Sequence, residues 1–178
     1  MTEKKKTKIK SLLSWALQIS IYITIFFALS WWQQKDMLPT GEQIIAPQFT
    51  LIDINGKAVS LHHEGKAHQT LIYFFAPWCS ICHASIDNLQ VIEESESYPN
   101  LRILVVALDW RSVDEVDEFL KEHKLTMPVL LGTTEVQQDY QINAFPSYYL
   151  LSENGHIISR NLGYSTELGL RSRLLIAE

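Results

Sequence analysis

Cysteine is scarce in this chain: two residues among 178, both in the pentapeptide Trp78-Cys79-Ser80-Ile81-Cys82. Two cysteines cannot build a stapling framework, and a bridge across C-x-x-C closes too short a loop to hold a fold together. The pair therefore reads as reactive rather than structural. The N-terminal region has no cysteine, which leaves no thiol there for lipid attachment. Charge is missing as well, since no charged residue occurs from Ser11 to Gln34. Beyond that stretch basic groups are the minority. The first ten residues carry five lysines against Glu3, a net +4, while the rest of the chain holds 10 basic and 19 acidic groups, a net −9. An acidic body argues against nucleic acid as a partner. Internal repeats are lacking, and low complexity is confined to the lysines. What remains is one compact domain with an appendage.

The uncharged stretch is that appendage. Its core, Leu12–Trp32, is 21 residues long. At about 1.5 Å per residue it would span roughly 30 Å, one hydrocarbon core. Trp15, Trp31 and Trp32 lie near its ends, where amphipathic rings favour the interface. The expected organisation is a cytoplasmic basic segment over 1–10, a single transmembrane helix over 11–34, a polar linker over 35–42 and a globular domain over 43–178. The positive-inside rule puts the lysines in the cytoplasm and the domain across the membrane. A cleaved signal peptide is the competing reading, with Ala28-Leu29-Ser30 as its small-x-small site, but the apolar run is longer than a usual signal core.

Within the domain, Phe49–Asp53 and Ala58–Leu61 flank Asn55-Gly56, a two-residue hairpin signal. Thr70–Phe75 is rich in β-formers, and Ala76-Pro77 breaks it. Ile86, Leu89 and Ile92 then recur at helical spacing. Leu101–Leu108 is nearly continuous in apolar residues, as a central buried strand is. Ser112-Val-Asp-Glu115 is a capping box opening a helix through Lys124. A short strand follows Pro128, then a short helix over Thr134–Tyr140. Strands over Ser147–Leu151 and His156–Leu162 are joined through Asn154-Gly155, and Thr166–Ile176 reads as a terminal helix. The order is hairpin, β, α, β, α, β, α, hairpin, α: an α/β sheet with helices on both faces and antiparallel strands added late. Cys79, at the first turn of its helix, faces unpaired N–H groups and the positive end of the dipole, which favour thiolate over thiol. Cys82 lies one turn on, close enough to close a small disulfide ring with it, the geometry for swapping a disulfide with a partner. Trp78 offers a flat apolar surface beside the pair.

The stretch from Phe74 to Cys82 resembles the active-site segment of thioredoxins, and Tyr140-Gln-Ile-Asn-Ala-Phe145-Pro146-Ser-Tyr-Tyr-Leu150 resembles their cis-proline segment. The extra helix and strand between Asp109 and Leu131 are similar to the central insertion of the TlpA/ResA-like branch. Within that branch the chain is similar to the suppressor-of-copper-sensitivity group. The resemblance covers about residues 43–176. It implies a thioredoxin fold: a central mixed sheet, an N-terminal hairpin and a central αβ insertion. It also implies a membrane-anchored thiol–disulfide oxidoreductase facing the periplasm or cell exterior of a bacterium. In that reading Cys79 attacks, Cys82 resolves, and Trp78 and a cis Phe145–Pro146 bond shape the site. The dithiol is the redox group and no separate cofactor is needed. Partners are exported proteins with disulfides, among them apocytochromes or copper-handling proteins, and a transmembrane reductase that supplies electrons. The chain departs from the pattern in two places. Tyr73 stands where thioredoxins carry a buried Asp, and Ser80-Ile81 lacks the proline of many relatives. Both departures leave open whether the pair reduces, oxidises or isomerises.

Other chemistries compete. Cys79-Ser-Ile-Cys82-His83 also fits the C-x-x-C-H haem attachment pattern, which would make the chain a tethered cytochrome-like carrier, with Met37 or Met127 as a distal ligand. Such domains are mostly helical, unlike this β-rich chain. A redox-sensing binding module is a further alternative. No metal site is expected: Cys79, Cys82 and His83 are adjacent ligands without a fourth, and His62, His63 and His68 read as a solvated loop. The acidic run Glu93–Glu96 reads as a solvated helix end.

Overall fold

The computed structural model describes residues 15–25, 28–29, 34–41, 43–61, 69–95 and 97–176. The chain divides between Lys35 and Asp36 into two units. In the first, residues 15–25 are helical and exposed throughout. No helix among the described residues is long and apolar enough to cross a membrane. Much of the span expected over 11–34, including Trp31 and Trp32, lies outside the described residues, as do the basic segment 1–10 and the histidines at 62, 63 and 68.

Among the described residues, the second unit is a seven-stranded mixed sheet with four helices. In chain order it runs β1 (Thr50–Asp53), β2 (Ala58–Ser60), β3 (Gln69–Phe75), α1 (Ser80–Glu93), β4 (Leu101–Ala107), α2 (Val113–His123), β5 (Val129–Leu131), α3 (Thr134–Asp139), β6 (Ser147–Leu151), β7 (Ile157–Leu162) and α4 (Glu167–Ile176). The strand order is β2-β1-β5-β4-β3-β6-β7. The three central strands β5, β4 and β3 are parallel, and antiparallel hairpins close both edges. This is the expected thioredoxin-type α/β architecture. The inserted α2 and β5 enter the middle of the order, with β5 between β4 and β1.

The apolar runs in β3 and β4 follow from burial on two faces. Successive side chains alternate, so Leu71, Tyr73 and Phe75 share one face with Ile103, Val105 and Ala107, beneath α1, α2 and α4. Ile72 and Phe74 join Leu104 and Val106 on the other face, which α3 and residues 37–49 cover. Ile86, Leu89 and Ile92 form the buried stripe of α1, as their spacing predicts. Ser112 caps α2 through its Oγ, which accepts from the Glu115 N–H at 3.3 Å, and Glu115 reaches back to the Arg111 N–H at 3.0 Å. The helix ends one residue earlier than expected, because Lys124 takes a left-handed conformation (φ 50°) as its C-cap.

Two expectations need correction. The Asn55-Gly56 connection is a three-residue loop, not a two-residue one: Asp53 and Lys57 close it, through Asp53 N–H to Lys57 O at 2.9 Å. The Asp53 carboxylate accepts from the Asn55 and Lys57 N–H groups at 2.8 and 2.9 Å, while Gly56 supplies φ 81°. That side-chain anchor fixes the wider turn. Nor is the linker over 35–42 a free tether. Met37 is buried, and Arg160 donates to the carbonyls of Met37 and Leu38 at 2.6 Å each. Tyr149 Oη accepts from the Leu38 N–H at 3.1 Å and donates to Tyr140 O at 2.8 Å.

Gly132 follows β5 where backbones converge. Its N–H donates to Ala107 O at 2.8 Å, and a Cβ there would lie 2.5 Å from Leu108 Cδ2 and 2.7 Å from Ala107 O. The backbone atom cannot move aside without breaking the strand. Gly132→Ala is therefore expected to destabilise the domain by about 1–3 kcal/mol, read as a lowered urea midpoint. An unchanged midpoint would show that the β4–β5 end has room.

Candidate active site

The site grows from the end of β3. After Phe75 the strand breaks at Ala76-Pro77, and the Cys79 N–H donates to Ala76 O at 3.0 Å. Cys79 is extended (φ −83°, ψ 106°) and is the N-cap of α1. Its Sγ accepts from the Cys82 N–H at 3.2 Å, and its carbonyl accepts from the Cys82 and His83 N–H groups at 2.9 and 3.1 Å. Sulfur thus occupies the place that a Ser, Thr, Asp or Asn oxygen takes in most helices. Both cysteines are free thiols. Cys79 keeps 6% of its surface exposed and Cys82 none, so only Cys79 offers sulfur to a partner.

Burial pushes the Cys82 thiol well above its ordinary range, and its hydrogen bond with Cys79 adds to the rise. Beneath it lies a polar patch that sequence reasoning missed. Tyr73 Oη lies 3.0 Å from Ser85 Oγ and donates to Cys82 O at 3.4 Å. Ser85 Oγ donates to the same carbonyl at 3.3 Å. Tyr73 is fully buried, and desolvation raises its hydroxyl well above the usual phenol value. Tyr148 packs on it with ring centroids 4.9 Å apart, and burial pushes the Tyr148 hydroxyl up to about 12. The only sequence signal for Ser85 was a polar residue next to the apolar stripe of α1.

Trp78 is more than half exposed. Its Nε1 donates to Asp109 O and Oδ2, both at 3.1 Å, where Asp109 sits at φ 50° beyond β4. A short polar side chain tolerates that left-handed turn, which is why an Asp serves there. Trp78 also meets Phe145 edge-on, ring centroids 5.9 Å apart. The two motifs therefore touch through residues 67 positions apart. The Phe145–Pro146 peptide is cis and Pro146 is buried. Pro146 O accepts from the Gly163 N–H at 2.8 Å, and Ser147 Oγ donates to Ala144 O at 2.8 Å, fixing the entry to β6. His83 turns away from the cysteines: its Nε2 lies 2.9 Å from Pro77 O and its Nδ1 2.9 Å from His123 Nε2. Both ring nitrogens are engaged in a mixed-sheet domain, the setting opposite to the helical one the haem reading needs.

Fold and thiol pair together define a thioredoxin-fold thiol–disulfide oxidoreductase of the TlpA/ResA-like kind. The chain belongs to the Redoxin family, whose model matches residues 39–173. It is similar to the sporulation thiol-disulfide oxidoreductase A of Bacillus subtilis (strain 168), 24% identical over 151 residues that cover 83% of this chain and 90% of the relative. It is 30% identical over 118 residues to the thiol-disulfide oxidoreductase ResA of Oceanobacillus iheyensis, covering 66% of this chain and 55% of the relative. Among solved structures, StoA from Bacillus subtilis superposes with a TM-score of 0.64 at 25% identity, covering 73% of this chain and 98% of that one. A thiol:disulfide interchange protein from Chlorobium tepidum shares the fold, with a TM-score of 0.67 at 18% identity, covering 78% and 99%.

The burial of Cys82 has a measurable consequence. In Cys79→Ser, alkylation of Cys82 by iodoacetamide should be slow, and its rate should keep rising with pH beyond the value near 8.5 where an ordinary thiol levels off. A raised pKa keeps the unreactive thiol form up to higher pH. Unfolding in urea should restore the ordinary profile. A plateau near pH 8.5 in the folded protein contradicts the burial.

Proposed function

We propose that this protein reduces disulfides in exported proteins through Cys79 and Cys82. The observation that carries the reading is the asymmetry of the pair: Cys79 is the N-cap and keeps 6% of its surface exposed, and Cys82, one turn deeper, keeps none. The Cys79 thiolate attacks one sulfur of a partner disulfide. A Cys79–partner disulfide forms, and one partner thiolate leaves. The Cys82 sulfur then attacks Cys79 Sγ, closing the Cys79–Cys82 disulfide and releasing the second partner thiolate. Two electrons pass from the dithiol to the partner, and the departing thiolates take up the protons. Trp78 and Phe145 form the apolar rim against which the partner lies, and the Pro146 segment supports the partner strand. The dithiol is the redox group, and a transmembrane reductase restores it.

The asymmetry sets the test. Cys82→Ser should accumulate partner proteins as mixed disulfides on Cys79, seen as reductant-sensitive bands on non-reducing gels, while Cys79→Ser should accumulate few. Equal trapping by both variants reverses or removes the assigned roles. The in vivo state of the pair, read by thiol trapping, gives the direction: a mostly reduced pair supports the reductase, and a mostly oxidised pair supports a dithiol oxidase.

We further propose that residues 11–34 anchor the chain in the bacterial cytoplasmic membrane, with the domain facing the periplasm or cell exterior. The support is the absence of charge over that stretch, the lysines before it, and the exposed apolar side chains of the helix over 15–25, among them Trp15, Leu17, Ile21 and Ile25. Alkali should leave the protein in the membrane fraction, and an export-dependent reporter fused after Glu178 should be active. A soluble product beginning near Trp31 would show cleavage, and activity of a cytoplasmic reporter alone would reverse the orientation.

A further inference from the structure

We propose that His83, Glu122 and His123 form a binding site for one divalent transition-metal ion of the Zn2+ class, beside the cysteine pair but independent of its sulfurs. His83 is the residue after Cys82 on α1, and the other two end α2. His83 Nδ1 lies 2.9 Å from His123 Nε2 and 3.4 Å from Glu122 Oε2, and one ligand atom from each of the three residues lies within 4.8 Å of the others.

The outer nitrogens settle how the rings are held. His83 Nε2 faces Pro77 O at 2.9 Å, and His123 Nδ1 faces Asp87 Oδ1 at 3.0 Å. A carbonyl and a carboxylate only accept, so both of those nitrogens carry hydrogen. The inner nitrogens, pointed at each other, are left as the donor atoms. A histidine that binds metal through one nitrogen while its other N–H is held by a carbonyl or carboxylate is the usual outer-shell arrangement of such sites. Here both histidines have it in advance. Phe119 packs on the two imidazoles with centroids 4.6 and 4.8 Å away, which restrains their rotation.

The distances suit a metal ion. Two ligands at about 2.0–2.1 Å in tetrahedral geometry stand about 3.3 Å apart. The Nδ1–Oε2 separation is already there, and the two nitrogens need to part by a few tenths of an ångström to admit the ion. Two imidazoles and a carboxylate suit Zn2+, Cu2+ or Ni2+ and are poor ligands for Mg2+ or Ca2+, which take oxygen. Glu122 and Asp87 balance the double charge, and the negative end of the α2 dipole adds to the attraction. The His123 side chain is 10% exposed and that of Glu122 65%, so the site opens towards water on the glutamate side, where a fourth ligand can enter.

The test uses Zn2+ and the full chain with Cys79 and Cys82 oxidised to their disulfide, which removes both thiols as ligands. The oxidised protein should take one equivalent of Zn2+ from a chromophoric chelator. Co2+ in its place should give visible bands without a thiolate charge-transfer band. His123→Asn and the exposed Glu122→Gln should each weaken Zn2+ binding, and Asp87→Asn, which loosens only the outer support of His123, should weaken it about 10–100-fold. Glu122 is on the surface, so its variant reports on binding without a folding defect. Failure of the oxidised chain to take up Zn2+, affinity unchanged in His123→Asn or Glu122→Gln, or a thiolate band that disappears in Cys79→Ser would each overturn the proposal.

Discussion

The site depends on one hydrogen bond to sulfur. A strand buried on both faces must leave the sheet at Phe75, and the helix that follows must begin with its first N–H groups satisfied. Cys79 provides for this. Its Sγ accepts the Cys82 N–H, and its carbonyl starts the helical ladder. The start of the helix and the presentation of the thiol are thus the same interaction. Cys79 cannot be shifted without uncapping α1, and α1 cannot be shifted without losing Ile86, Leu89 and Ile92 from the core. The position of the reactive sulfur inherits the rigidity of the sheet.

That constraint also explains how widely separated segments meet. Trp78, one residue before the cap, is carried to the rim of the sheet. There Asp109 beyond β4 holds its indole N–H, and Phe145 beyond α3 meets its ring. Each contact comes from the loop at one end of the sheet, where the parallel strands release the chain. Ligands and partners of open α/β sheets gather at such ends because those loops are free to vary while the strands hold them in place.

Much of this was legible in the residues. Runs of β-formers, turn residues and three-residue apolar spacing placed the strands and helices within a residue or two, since burial on both faces of β3 and β4 leaves an unbroken apolar run that little else produces. The paired motifs at Cys79–Cys82 and Phe145–Pro146 pointed to the fold. The rest depends on long-range partners. Asn55-Gly56 signals a hairpin, but the loop length is set by the Asp53 carboxylate, which reaches two N–H groups. Lys35–Glu42 looks like a tether because its composition is polar, yet Arg160 and Tyr149, more than a hundred residues on, fasten Met37 and Leu38 to the sheet. His83 alone suggested a haem ligand, a zinc ligand lacking a fourth partner, or a helix residue beside the cysteines. Its neighbours His123 and Glu122 come from another helix, and Asp87, which holds His123, from the next turn of its own, so no local pattern links them.

The departure at Tyr73 changes the proton chemistry of the pair. Thioredoxins resemble this chain up to the strand before the motif, where their buried Asp can accept a proton. Tyr73 cannot do so near neutral pH, because burial raises its hydroxyl well above the ordinary phenol value and makes it a donor. Ser85 Oγ, 3.0 Å away, is no base either, and both groups also face the carbonyl of Cys82. The protein thus offers the Cys82 thiol polar neighbours but no acceptor strong enough to ionise it at rest. Loss of that proton needs a stronger base than either hydroxyl. Burial and the hydrogen bond with Cys79 therefore favour the protonated, unreactive form of Cys82. A thiol buried in this way resists oxidation, because thiolate is the form that reacts.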